Sequence, residues 1–163
     1  MSELAKPDQN AFNAIISKIL LKAPVLAGMD PADAQKLFEL SRKVSWKTDD
    51  TIFTTNDIAI EMFILVGGNL TVWMDGIGME RPVAKLSPGD SFGEMALVVG
   101  GKRTANITAA SNAFALAFNP KELQTQTSLG MVIFKNISKI LADRLKNTNK
   151  YLESLHHTEG PIE

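Results

Sequence analysis

The stretch that decides the fold is Ser91 to Ala110, which reads SFGEMALVVGGKRTANITAA. Phe92-Gly93 leads into a short helical segment from Glu94 to Val99, so the unpaired N–H groups at its start lie beside a glycine that admits a ligand closely. Such N–H groups, together with the helix dipole, favour an anion such as phosphate. The stretch therefore predicts a binding site for something anionic.

Two charged residues in the same stretch refine the chemistry of that site. Gly100-Gly101 turns the chain back, and Arg103 then opens a β-branched run from Thr104 to Ala110 that is typical of a strand. An arginine held there suits a two-point contact with phosphate. Glu94 would be repelled by phosphate unless it has another task, and accepting a hydrogen bond from a sugar hydroxyl is one that fits. Glu94 and Arg103 together therefore predict a ligand in which a phosphate is joined to a ribose.

The same residues also allow a purely structural interpretation. Gly93 would then only start a helix, Glu94 and Arg103 would form a surface ion pair, and the two glycines would make an ordinary hairpin. Short glycine-rich loops are common, so the physical chemistry of the stretch leaves both interpretations open.

The order of residues in this stretch resembles a known family pattern. F-G-E-hydrophobic-A-L, a short loop and then R-[ST]-A is similar to the phosphate-binding cassette of cyclic nucleotide-binding domains. In that family the glutamate binds the ribose 2′-hydroxyl, while the arginine, the residues after it and the helix-start N–H groups bind the cyclic phosphate. The resemblance implies a cassette over residues 92–105 with these ligand-binding residues: Gly93, Glu94, Met95, Ala96, Arg103, Thr104 and Ala105.

Composition limits the other classes of function. The chain has 163 residues and a formal net charge of −1, without the clustered Lys and Arg that bind nucleic acid. It has no cysteine, which excludes disulfides, cysteine-ligated zinc and a thiol nucleophile. The N-terminus lacks the pattern of a signal peptide, and no apolar run approaches the roughly 18 residues of a membrane span. We therefore expect a soluble, cytoplasmic protein that binds neither DNA nor membrane.

Two helical segments precede the region of strands. Apolar residues at helical spacing predict a first amphipathic helix over residues 8–22, within an N-terminal region of residues 1–23. Asp30-Pro31 predicts a second helix from Ala32 to Ser41, because aspartate caps helices and proline favours their first position.

From Arg42 to Phe118 the pattern changes to short runs rich in Val, Ile, Thr and Phe, separated by turn residues. This pattern is typical of an all-β sandwich or barrel, and about eight antiparallel strands would form a jelly roll. The predicted fold is thus α+β, with a β jelly roll (double-stranded β-helix) over residues 24–120 between N-terminal helices and a long C-terminal helix. The predicted strands are Lys43 to Trp46, Thr51 to Phe53, Met62 to Val66, Asn69 to Met74, Arg81 to Leu86, Thr104 to Ala109 and Ala113 to Ala117.

The C-terminal part is predicted to be helical over residues 121–155. A short helix from Lys121 to Gln126 leads to a long one from about Leu129 to Leu155, and residues 156–163 are predicted to be a disordered tail. The apolar residues of the long helix recur at spacings of three and four. This spacing indicates either a seam that packs against a second copy of the chain or a stripe that covers the roll. The sequence leaves both open for Leu141, Leu145, Thr148, Leu152 and Leu155.

The long helix also resembles the lid of the same family. The segment ADRLKNTN is similar to the end of the helix of the bacterial activators, in which a threonine and the residue after it contact the base, one from each subunit. The matching positions are Thr148 and Asn149, which favours cyclic AMP, whereas the hydroxyl of Thr104 keeps cyclic GMP open. The alternative for the pair is structural, with Thr148 bonded to its own helix carbonyl and Asn149 in solvent.

The sequence predicts a stand-alone cyclic nucleotide sensor that is not an enzyme, has no cofactor, and signals to an unidentified protein partner through its C-terminal helices. We also expect a homodimer through the final helix. The only histidines, His156 and His157, lie in the tail, so no metal centre is expected in the roll. Two alternatives differ in class: an interaction domain of the same fold without nucleotide, and a DNA-binding regulator, for which no helix-turn-helix follows Leu155.

Overall fold

In the part of the chain that the computed structural model describes, two four-stranded antiparallel sheets form the centre of the fold. The described residues are Lys18, 22–74, 82–98, 100–119, 122–123 and 127–158, with the backbone alone at 96–97, 127, 151–152 and 155–158. One sheet has the strand order β1-β8-β3-β6 and the other β2-β7-β4-β5. The strands are β1 (Arg42–Trp46), β2 (Thr51–Phe53), β3 (Met62–Gly67), β4 (Leu70–Trp73), β5 (Ala84–Leu86), β6 (Ser91–Phe92), β7 (Asn106–Ala109) and β8 (Ala113–Phe118).

This arrangement confirms the predicted α+β jelly roll, and two of its differences from the prediction bear on the site. The two-residue strand β6 was not predicted, because its pairing depends on β3 rather than on a pattern of its own. β7 begins at Asn106 and not at Thr104, so Thr104 and Ala105 lie outside the ladder. Both of these residues line a cavity instead, which places them where a ligand can reach them.

Strand β3 joins the two halves of the core. All residues from Met62 to Val66 are buried, as expected for a strand that is covered on both faces. Phe63 and Leu65 pack in one cluster with the second sheet, while Met62, Ile64 and Val66 pack in another with the helices. This alternation follows from the period of two in a strand. The helices are therefore docked directly on the sheet that carries β6.

Three helices and one 3₁₀ turn flank the roll with both of their ends in the described residues. They are the turn Pro24–Leu26, α1 (Pro31–Leu40), α2 (Met95–Val98) and α3 (Thr127–Thr158). The Asp30 carboxylate accepts a hydrogen bond of 2.8 Å from the N–H of Ala32, which confirms the predicted cap of α1. The predicted helix over residues 8–22 lies outside the described residues except for Lys18 and Lys22. The predicted helix Lys121 to Gln126 is described only at residues 122–123.

The first half of α3 covers the roll and its second half does not. Leu129, Ile133 and Ile137 are buried in the cluster that includes β3, and Leu141 packs against that cluster. Burying a side chain of this size stabilises the fold by about 1.5–3 kcal/mol. Leu145, one turn further, is 62% exposed. The apolar stripe therefore covers the roll up to Leu141, and the helix continues to Thr158, beyond its predicted end.

A buried amide fixes α3 against the N-terminal segment. The side-chain nitrogen of Asn136 donates hydrogen bonds of 3.0 Å to the carbonyl of Val25 and 2.9 Å to that of Ala27. The buried carbonyl of Val25 in the 3₁₀ turn thereby has a hydrogen-bond partner away from water. The turn and the start of α3 are thereby linked, so a shift of one requires a shift of the other.

Candidate functional site

A cavity of about 260 Å³ lies between the second sheet and the stretch from Phe92 to Ala105. Its lining combines aliphatic side chains from β4, β5 and β7 with a small set of charged and polar residues. An apolar cavity in which a few polar groups converge is typical of a small-molecule site. The aliphatic residues are Val72, Ala84, Leu86 and Ile107, and the charged and polar ones are Glu94, Lys102, Arg103, Thr104 and Arg144.

Gly93 allows the chain to pass from β6 into α2 beside the cavity. Its φ of +71° lies in the left-handed region, which residues with a side chain rarely adopt. A Cβ atom at this position would also lie 2.5 Å from a guanidinium nitrogen of Arg103. Glycine is therefore required both by the backbone and by the arginine beside it. The helix that follows is described over Met95–Val98 and begins one residue after the predicted start at Glu94, while Val99 lies outside the described residues.

Arg103 is a buried cation whose hydrogen bonds are incomplete. It is 7% exposed, and its guanidinium lies 4.1 Å from the centre of the Phe53 ring, a cation–π contact. One terminal nitrogen donates to the Gly93 carbonyl at 3.3 Å, while the buried Nε has no hydrogen-bond partner. A buried donor without an acceptor costs free energy, so this group is suited to an added anion.

Burial lowers the pKa of Arg103 from its ordinary value, and the nearby charges of Glu61, Asp57 and Glu94 oppose that change. Glu61 is paired with Arg42, and the Asp57 carboxylate accepts a hydrogen bond from the Thr54 N–H. The guanidinium remains charged, as arginine does in proteins, and none of these acids accepts a hydrogen bond from its Nε. The side chain is preorganised as a cation that faces the cavity.

Glu94 is a buried carboxylate with a partner that lies fifty residues along the chain. It is 1% exposed and forms an ion pair with Nη1 of Arg144 on α3. The other terminal nitrogen of Arg144 donates to the Ser91 carbonyl at 3.0 Å. Burial raises the pKa of Glu94, and the charge of Arg144 lowers it in opposition. A surface ion pair between Glu94 and Arg103 is thus excluded, because both are buried and Glu94 pairs elsewhere.

Arg144 was not among the residues predicted for the site. It lies four positions before Thr148, a residue that the sequence did assign to the ligand, and positions four apart share one face of a helix. That spacing is the signal by which sequence reasoning could have found it. Through Arg144, α3 reaches the same cavity as the stretch after β6.

The predicted site residues divide into three groups by position. Gly93, Glu94, Met95, Arg103, Thr104 and Ala105 all line the cavity. Ala96 lies in α2, of which only the backbone is described at that position. Thr148 and Asn149 do not line it in this single chain. Thr148 Oγ1 donates to the Arg144 carbonyl at 3.0 Å, and Asn149 lines a separate groove along α3.

Within the described part of the chain, no three or more His, Asp or Glu side chains gather where they could hold a metal ion. None of the helices, as far as they are described, combines the length and apolar character that crossing a membrane requires.

Comparison with known proteins identifies the type of domain. Residues 43–127 match the sequence profile described as Cyclic nucleotide-binding domain. The chain is 24% identical over 147 residues to the CRP-like cAMP-activated global transcriptional regulator of Mycobacterium tuberculosis (strain CDC 1551 / Oshkosh). That alignment covers 90% of this chain and 66% of the regulator, so the chain spans just under two thirds of that relative's length.

Two solved structures share the fold. The Catabolite Activator Protein of Thermus thermophilus superposes with a TM-score of 0.73 at 23% identity, covering 82% of this chain and 63% of that one. The structure of Sp-2Cl-cAMPS bound to PKAR CBD2 superposes with a TM-score of 0.67 at 25% identity, covering 91% and 95%. The jelly roll with its flanking helices is thus a fold that these proteins have in common.

Proposed function

Because this chain belongs to the cyclic nucleotide-binding domain family, we propose that it is a cyclic nucleotide sensor whose cavity binds a cyclic nucleoside monophosphate. The observation that carries the proposal is the buried guanidinium of Arg103, whose Nε has no acceptor, at the wall of a cavity. Its role is regulatory rather than catalytic. The expected response is thermal stabilisation: at a ligand concentration about 100 times Kd, the folded state gains roughly 2.7 kcal/mol.

A thermal-denaturation series with cyclic AMP, cyclic GMP and adenosine tests this function. An upward shift of Tm with a cyclic nucleotide, and none with adenosine, supports it, because adenosine lacks the phosphate. The competing interpretation is an interaction domain that keeps the fold without binding nucleotide. Unchanged Tm values in all three series would favour that alternative.

In the proposed complex the phosphate lies between Arg103 and the start of α2. The Nε and terminal nitrogens of Arg103 donate to the phosphate oxygens, and Gly93 leaves room for the ligand beside the backbone. The Thr104 hydroxyl lies next to the arginine and serves the same group. The full set of proposed ligand-binding residues is Gly93, Glu94, Met95, Ala96, Arg103, Thr104 and Ala105.

Glu94 binds the ribose 2′-hydroxyl in this proposal, which predicts a specific dependence on that hydroxyl. A 2′-deoxy cyclic AMP loses a hydrogen bond to a charged acceptor, worth about 1.5–3 kcal/mol, so we expect weaker binding to the wild type. In Glu94→Ala, 2′-deoxy cyclic AMP should bind almost as tightly as cyclic AMP does to the same variant. Isothermal titration of both proteins with both ligands measures the coupling, and fully additive losses would contradict the pairing.

Ligand binding and the position of α3 are coupled through Arg144. Arg144 forms an ion pair with Glu94, and in this proposal a ribose hydroxyl competes with Arg144 for the same carboxylate. A bound nucleotide therefore favours the position of α3 in which Glu94 can contact both Arg144 and the ribose hydroxyl. The ligand shifts the population of α3 positions only to the extent that it binds this position more tightly than the others. We propose that this movement of the C-terminal helix is the signal to a protein partner.

Cyclic AMP is the proposed ligand, with cyclic GMP as the runner-up. The relative in Mycobacterium tuberculosis is described as cAMP-activated, and PKAR CBD2 was solved with Sp-2Cl-cAMPS. We expect Thr148→Val and Asn149→Ala to lower the ratio of cyclic AMP to cyclic GMP affinity, because this pair is proposed to contact the adenine. Competition titrations measure the ratio. If this affinity ratio does not change, α3 does not select the base. In that case Thr104→Ala is the substitution that should alter the ratio.

We also propose a homodimer through the second half of α3. Leu145 is exposed there and lines a groove with Ala142, Lys146 and Asn149. A second helix packed on this face would bury Leu145 and bring Asn149 of one chain toward the cavity of the other. Light scattering is expected to give a dimer mass at high micromolar concentration, and Leu145→Glu is expected to give a monomer. A monomer mass for the wild type would rule the dimer out.

A further inference from the structure

Lys102 lines the same cavity as Arg103, yet its side chain is exposed to solvent. Its backbone is fixed by an antiparallel bridge to Ile58 and by the neighbouring hydrogen bond of 2.8 Å from the Ala59 N–H to the Gly101 carbonyl. Ala59 lines the cavity as well. These contacts form part of the cavity rim, so the long side chain of Lys102 begins from a fixed point at the entrance.

The charged residues of the lining differ in whether a counter-ion neutralises them. Glu94 and Arg144 form an ion pair with each other. Among the residues that the structure describes, neither Lys102 nor Arg103 takes part in a salt bridge. The cavity therefore holds two adjacent cations without an ion-pair partner, one buried beneath the ligand site and one exposed at its mouth.

We propose that Lys102 is a second phosphate-recognising residue, which attracts the anionic ligand to the entrance and raises its association rate. This inference rests on the proposed function, because the ligand is taken to be a cyclic phosphate. Such a phosphate carries one negative charge, which the buried Arg103 balances once the ligand is bound. Lys102 acts earlier, while the phosphate is still hydrated, since exposed charges at the mouth of a cleft concentrate ligands of opposite sign.

Salt dependence distinguishes this role from a structural one. An exposed charge is screened over a Debye length of about 8 Å at 0.15 M ionic strength and about 3 Å at 1 M. The contribution of Lys102 should therefore be large in dilute buffer and small in concentrated salt. A lysine that only holds the rim in place would affect binding at both ionic strengths.

The test is stopped-flow binding of a fluorescent cyclic AMP analogue to the full chain at low and high salt. At low salt Lys102→Glu is expected to lower the association rate about tenfold and Lys102→Gln about threefold, with little change in dissociation. At about 1 M salt both differences should fall below roughly twofold. Lys139→Glu is the matched control, because Lys139 is exposed on α3 and does not line the cavity.

Each outcome decides a separate point. A salt-dependent slowing in Lys102→Glu that Lys139→Glu does not show supports the proposal. Equal association rates for the two variants would overturn it while leaving the proposed function intact. Failure of the wild type itself to bind the analogue would overturn both.

Discussion

Arg103→Ala is expected to weaken cyclic AMP binding by roughly 2 to 5 kcal/mol, the usual loss when one member of a buried charge pair is removed. In dissociation constant this is on the order of 30-fold to several thousand-fold. The structural reason is that the guanidinium is 7% exposed and its Nε has no partner within the protein. Isothermal titration measures the effect.

Controls for this substitution separate binding from folding. Arg103 packs on Phe53, so its removal also costs stability, and the variant must be shown to remain folded by circular dichroism. Arg103→Lys keeps the charge but loses the Nε donor and the planar group, and it should also bind weakly. Lys139→Ala removes an exposed cation of α3 that does not line the cavity and should leave affinity unchanged. Undiminished affinity in Arg103→Ala would remove the phosphate assignment.

Arg144→Leu is expected to destabilise the ligand-free protein in a pH-dependent way. Burial raises the pKa of Glu94, and Arg144 is the largest of the influences that lower it, so the variant should raise that pKa further. A carboxyl whose pKa is higher in the folded than in the unfolded state binds more protons when folded. Stability is then lost as pH rises from the unfolded pKa, near 4.5, through the folded pKa.

The variant should therefore differ little from wild type at pH 4 and be clearly less stable at pH 7. Leaving a buried charge without its partner costs up to about 3–5 kcal/mol, and the smaller end is expected here because Arg144 is half-exposed. Urea denaturation at both pH values measures it. Adding Glu94→Gln to Arg144→Leu should recover most of the loss at neutral pH. An equal loss at pH 4 and pH 7 would indicate that Arg144 stabilises the helix by packing alone.

The sequence was most informative where the interacting residues are close together in the chain. Gly93, Glu94 and Arg103 lie within eleven positions, so one local pattern contained the glycine turn, the carboxylate and the cation of the cavity. The strands were predicted from short runs rich in Val, Ile, Thr and Phe between turn residues. The local pattern therefore placed Gly93, Glu94 and Arg103 at one cavity, although it missed β6 and started β7 two residues too early.

Features that depend on distant partners were harder to predict. β6 has only two residues, and it is a strand because it pairs with β3 through antiparallel hydrogen bonds. The pairing of Glu94 with Arg144 joins residues fifty positions apart, and its only signal in the sequence is the four-residue spacing from Arg144 to Thr148. The position of α3 over the roll was left open for the same reason, since the stripe from Leu141 to Leu155 fits either a partner helix or the roll. Only the packing of Leu141 and the exposure of Leu145 separate these two roles.

The central claim is that this cavity binds a cyclic nucleotide through its phosphate. Isothermal titration of the wild-type chain with cyclic AMP, and in parallel with adenosine, tests it most directly because the two ligands share base and ribose. We expect saturable binding of one cyclic AMP per chain and no measurable binding of adenosine. Equal affinity for the two ligands, or no binding of any cyclic nucleotide, would contradict it.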